Sequence, residues 1–185
     1  MTAPTVRPGV RLQNMTLSMI LLFLLQTPAP KPEVRVPELE RLMHQSINLH
    51  RRVNDREPLD WDETLAGLAR AHSEDMAKRG YFKHVNPEGQ TPMQRLQEAG
   101  YDKCRMVGEN IHQNNLYSRE ITIGKKKTYD WNSMEIITTT TVKAWMDSEG
   151  HRQTILEMNY TQEGIGVALA PDDKVYITQI VCGEN

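Results

Sequence analysis

The chain has 185 residues, a formal net charge of −2 and a pI near 6.3. That length holds one domain with a real core plus extra segments. The charge gives no global attraction to nucleic acid, and two cysteines are too few for a disulfide-rich scaffold or a Cys-based metal site. In chain order, Arg7 and Arg11 precede the apolar run Leu17 to Leu25, about nine residues against the roughly 20 a spanning helix needs. Residues 1–29 therefore read as a secretory signal peptide, or as an uncleaved leader tethered at a membrane, because Pro30 spoils the cleavage site. Pro28, Pro30, Pro32 and Pro37 mark residues 30–37 as an extended linker, and residues 38–185 as the folded domain.

Leu39, Met43, Ile47 and His50 recur at helical spacing, with Glu40, Arg51 and Arg52 elsewhere around the helix. Asn54 to Pro58 stops it, and Leu59-Asp60-Trp61 is a short extended link. Asp62 caps a second helix that runs to Arg79 and stops at Gly80. His72 is the lone polar member of its apolar stripe, which reads as a satisfied core histidine. Residues 81–90 are irregular and carry His84; Thr91-Pro92 opens a third helix that Gly100 ends. Residues 104–112 have strand character. Residues 114–132, with Lys125-Lys126-Lys127, read as a solvated loop of about 20 residues.

Residues 133–148 carry a local conflict. Ile136 to Val142 is β-branched throughout and favours a strand, whereas Met134, Ile137, Thr141, Trp145 and Ser148 mark one helical face over four turns. The longer pattern decides for helix. Ser148 then serves as N-cap of a short helix, its hydroxyl accepting from a free backbone N–H, with Glu149 in the first turn and His151 displayed near the surface. Residues 164–169 and 175–181 form a hairpin about Pro171-Asp172-Asp173-Lys174.

Seven short segments occur in order: Ile47 to Arg52, Leu59-Asp60-Trp61, Ala71 to Ala77, Phe82 to Pro87, Gly108-Glu109-Asn110-Ile111, Trp145 to Arg152 and Gly164 to Val167. Together they make residues 38–182 resemble the CAP superfamily (SCP-like: cysteine-rich secretory proteins, antigen 5 and pathogenesis-related 1 proteins) in its short prokaryotic form. The resemblance implies an α+β fold, an α-β-α sandwich around a small antiparallel sheet. It also implies a cleft where two histidines meet acidic residues. By motif these are His84 and His151, with Glu109 as the first acid. Animal members place the second acid at the position of Ser148; here Glu149, one residue later, is the candidate, in the Ser-x-Gly-His arrangement common among prokaryotic relatives.

The residue chemistry allows two functions. Two imidazoles and a carboxylate make a reasonable Zn²⁺ set, with His84 and His151 as ligands and Glu109 as base or supporting acceptor. Equally, the same groups can form a hydrogen-bonded cleft that binds a lipid, a peptide or an envelope component without turnover. A structural envelope protein with an inactive cleft is the third option. Ser148 lacks a Gly-x-Ser-x-Gly elbow, and its capping role already accounts for it, so a serine hydrolase is set aside. Cys104 precedes the Gly108-Glu109 segment and Cys182 ends the last strand, so in an exported protein the edges of one sheet can bring them together as a disulfide.

Overall fold

A computed structural model describes residues 30–183; the expected leader, residues 1–29, lies outside them. Helix α1 spans Val36–Val53, with Pro37 in its first turn, so helix replaces the last part of the expected linker. Strand β1, Asp60–Trp61, precedes α2, Glu63–Arg79. Both ends of α2 follow the expected chemistry. Asp62 Oδ1 accepts from the amides of Thr64 and Leu65 at 2.8 and 2.9 Å, and Gly80 closes the helix at φ +68°. Helix α3, Pro92–Glu98, begins with a reciprocal capping box between Thr91 and Gln94.

Strand β2, Met106–Asn115, is followed by β3, Tyr117–Ile123, and β4, Lys126–Trp131, which pair antiparallel as a separate two-stranded sheet. This corrects the expected loop. The hairpin holds through cross-strand rings: Tyr129 lies 4.8 Å from Tyr117 and 5.0 Å from Trp131 between centroids, and Gly124 turns the chain at φ +61°. The charged residues that interleave these rings hide the alternation in the sequence. The β-branched segment is helical, as the longer pattern requires: α4 spans Met134–Asp147 and buries Ile137, Thr138, Thr141, Val142 and Trp145. Thr140 Oγ1 donates to the Ile136 carbonyl at 2.7 Å, the bond open to a threonine in a helix. Helix α5, Glu149–Leu156, leads to β5, Gln162–Leu169, and β6, Lys174–Gly183.

The main sheet has the order β1-β5-β6-β2, with β1 parallel to β5 and the other pairs antiparallel. Helix α2 lies against one face. Gly164 and Gly166 make that approach possible, since a Cβ on Gly166 would fall 1.9 Å from the Arg70 nitrogen. Leu65, Ala69, Leu96 and Ile180 pack there. On the other face Leu39, Met43 and Ile47 of α1, Trp145 of α4 and Ile155 of α5 pack on Ile165, Ile177 and Val181. The result is the α-β-α sandwich.

Two charged residues of α1 depart from the amphipathic expectation, because Glu40 and Arg51 are each only 1% exposed. Glu40 receives both Arg70 nitrogens, at 3.0 and 2.7 Å, and the Val167 amide at 3.0 Å. Arg51 donates to the carbonyls of Glu57, Ile155, Glu157 and Tyr160 at 2.6 to 3.3 Å. Each buried charge is thus fully engaged, as burial demands. A disulfide joins Cys104 and Cys182, with Cα atoms 5.3 Å apart. It ties the entry of β2 to the end of β6.

Candidate functional site

Glu109 lies on β2 with its side chain 1% exposed, on the face that α2 covers. Its Oε1 accepts from His84 Nδ1 at 2.9 Å, and its Oε2 is paired with Arg95 Nη2 of α3. Because a carboxylate can only accept, His84 carries its proton on Nδ1 and turns Nε2 outward. The His84 side chain is 48% exposed. A buried acid held by an arginine therefore orients an imidazole that solvent reaches.

His72 of α2 completes the floor. Its Nε2 lies 3.1 Å from the Lys83 carbonyl and 3.9 Å from Glu109 Oε1. Burial, first, holds its pKa below the ordinary value, against the opposing pull of Glu109. It is buried as expected but not fully satisfied, because Nδ1 finds no partner.

His151 approaches from the opposite face, on α5. Asn110, the neighbour of Glu109 on β2, is fully buried and donates to the His151 carbonyl at 3.1 Å and to Gln179 Oε1 at 2.9 Å. Gln179 Nε2 donates to Glu163 Oε2 at 2.7 Å, and Glu163 Oε1 meets His44 Nδ1 at 2.6 Å. This buried chain fixes the α5 backbone to the sheet. The His151 pKa is lowered by burial and then by the charge of His84; that of His112 is lowered by burial and then by His151. His84, His151 and His112 thus feel one another's charge around β2.

Ser148 is the residue before α5, yet its side chain makes no capping bond, which corrects the expected hydroxyl cap. Its backbone is extended there, so α4 and α5 meet at a bend. Glu149 is exposed, with Oε1 accepting from Gln153 Nε2 at 3.3 Å; its described bonds do not include His84, Glu109 or His151.

The donor set falls short of a closed metal site. No group of three His, Cys, Asp or Glu side chains among the described residues is arranged to hold an ion. Zinc sites use three or four protein ligands, whereas here Glu109 spends its oxygens on His84 and Arg95. Two imidazoles remain.

Arg95, Asn110, His112 and the His44–Glu163 pair were not assigned roles from the sequence. His112 shares the strand parity of Asn110, and alternation from the Gly108-Glu109 motif points to it. Nothing local points to Arg95. A groove of about 980 Å³ lies elsewhere, along β5 between α1 and α2, lined by Glu40, Trp61, Arg70 and Leu169 among others. It contains none of His84, Glu109 and His151, so the histidine chemistry and this hollow are separate features.

The model of the cysteine-rich secretory protein family, CAP, matches residues 44–182. The chain belongs to that family. The Bacillus subtilis protein YkwD is 33% identical over 131 residues, covering 71% of this chain and 43% of its own. An extracellular Bacillus anthracis protein containing an SCP domain superposes with a TM-score of 0.61 at 23% identity, over 83% of this chain and 45% of its own. NaASP2, crystallised with Zn²⁺, superposes with a TM-score of 0.50 at 15% identity, over 84% of this chain and 88% of its own. The CAP chain thus spans less than half the length of YkwD and of the B. anthracis protein. No described helix is long and apolar enough to cross a membrane.

Proposed function

We propose that this CAP domain works outside the cytoplasm as a binding module, taking its ligand at the cleft of His84, Glu109 and His151. One observation carries the reading: a carboxylate 1% exposed and anchored by Arg95 directs a half-exposed imidazole outward, where solvent reaches it. Pre-oriented donors and acceptors of this kind bind without ordering cost at the moment of contact. The disulfide agrees with an oxidising compartment, as does the likeness to an extracellular protein. The leader expected in residues 1–29 is the segment that would deliver the domain to the envelope.

A metal-dependent peptidase is the second reading. It is favoured by the His84–Glu109 bond, the arrangement that orients metal-bound imidazoles, and by the Zn²⁺ in NaASP2. Against it stand the two-imidazole donor set and the occupied oxygens of Glu109. The test follows the imidazole NMR signals of His84 and His151 while Zn²⁺, phospholipid vesicles and short peptides are added in turn. A peptide-cleavage assay runs in parallel. Saturable shifts at both histidines, lost in His84→Ala/His151→Ala, with no cleavage, support the binding module. Zn²⁺-dependent cleavage abolished by Glu109→Gln would replace it with the peptidase. Silence of both histidines toward every probe would end both readings.

A further inference from the structure

We infer that the ligand of this cleft is an extended peptide segment that adds as a strand to the outer edge of β2. The inference rests on the cleft reading above and gives it a substrate class.

Register decides which backbone groups are free. The amides of Asp60 and Asp62 donate to the carbonyls of Thr161 and Glu163 at 2.8 and 2.9 Å, so the odd residues of β5 face β1. The even residues of β5 then bond β6, and the odd residues of β6 bond the even residues of β2: Gly108 to Val181, Asn110 to Gln179 and His112 to Ile177. Val107, Glu109 and Ile111 therefore direct N–H and C=O away from the sheet, and no strand among the described residues pairs there.

Exposure agrees. Glu109 as a residue is partly exposed although its side chain is 1% exposed, so what solvent touches is its main chain. The window has an end. Trp145 Nε1 donates to the Ile111 carbonyl at 3.1 Å, and Asn132 Nδ2 donates to the Asn115 carbonyl at 3.3 Å. What is left open is the stretch from Val107 to Glu109, since Asn110 and Ile111 are buried, enough for about three residues of an added strand.

The flanks suit a single chain. The His84 imidazole stands on the α2 side of β2 and the His151 main chain on the α5 side, so an added strand sends alternate side chains toward the His84 loop and then toward α5. Main-chain bonds would supply affinity, and the two histidines would read the side chains. A second folded copy is a poorer occupant, because it would bring its own His84 loop and α5 into the space these segments fill.

The experiment uses linear heptapeptides selected from a displayed library on the intact chain, then synthesised with each amide N-methylated in turn. Strand addition predicts that methylation at alternate residues weakens binding about tenfold or more, while the intervening positions change it less than about twofold. In the protein, Val107→Pro removes an outward amide without touching the β6 ladder, and is expected to cost about tenfold in peptide affinity. Its response of His84 and His151 to Zn²⁺ should match that of the parent chain. The N-methyl series needs no altered protein, so it decides even where Val107→Pro fails to fold. Peptides that shift the histidines without an alternating pattern would overturn the inference and leave the cleft reading intact. So would a concentration-dependent dimer that protects β2 amides with no peptide present, which would assign the edge to a second copy. Failure to select any peptide would also overturn it.

Discussion

Arg51→Ala should unfold this domain more readily than any surface change, and the size follows from its bonds. The guanidinium is 1% exposed and donates to four carbonyls, of Glu57, Ile155, Glu157 and Tyr160. A net value of about 1 to 1.5 kcal/mol per bond gives roughly 4 to 6 kcal/mol. Removing a buried cation returns part of that, since burial lowers its pKa and so opposes the charged form. About 3 to 4 kcal/mol of destabilisation remains. Urea unfolding followed by tryptophan fluorescence would read this as a midpoint lower by about 1.5 to 2 M, for a slope near 2 kcal/mol/M. Three of the acceptors lie at or just beyond the end of α5, so the His151 signal should broaden in the variant under native conditions. A midpoint change below about 0.5 M would refute the claim that Arg51 holds α5 to α1.

The remaining expectations address the sheet, the acid response and the disulfide. Gly166→Ala places a Cβ 1.9 Å from the Arg70 nitrogen of α2, so the helix must move; a loss of about 3 kcal/mol or more is expected by urea unfolding, and a loss under 1 kcal/mol would contradict the packing. His72 has a folded pKa depressed below 6.5, so the unfolded chain binds the extra proton. Stability should therefore fall as pH drops below about 6.5, by up to about 1.4 kcal/mol per pH unit from this group. His72→Gln should flatten the slope by that amount in unfolding series between pH 7.5 and 4.5; parallel slopes would refute it. Opening the Cys104–Cys182 bridge releases a 78-residue span, about 4 kcal/mol in the chain-entropy model, and should lower Tm by about 8 to 16 °C in calorimetry of Cys104→Ser/Cys182→Ser.

The candidate site residues stood out in the sequence because they sit in compact local motifs. His84, Glu109 and His151 each stand beside a turn or a short polar run that breaks a regular pattern. The structure bonds the first two directly and sets the third within their field. The helix ends were legible for the same reason: Asp62, Gly80 and the Thr91–Gln94 pair act within four residues of themselves. The disulfide needed only the strand order that the hairpin and the Gly108 segment suggested.

The sequence by itself determined the α+β class and the signals that start and stop α2 and start α3, and it nominated His84, Glu109 and His151 as candidates, because periodicity and capping are properties of neighbouring residues. Only the tertiary structure decided that Glu40 and Arg51 go inside, that Arg95 grips Glu109, and that residues 117–131 pair as a hairpin. Glu40 reaches the Val167 amide across 127 positions and Arg51 the Tyr160 carbonyl across 109. A charge is buried or solvated according to the partner it meets, and such partners become neighbours only when the sheet has closed.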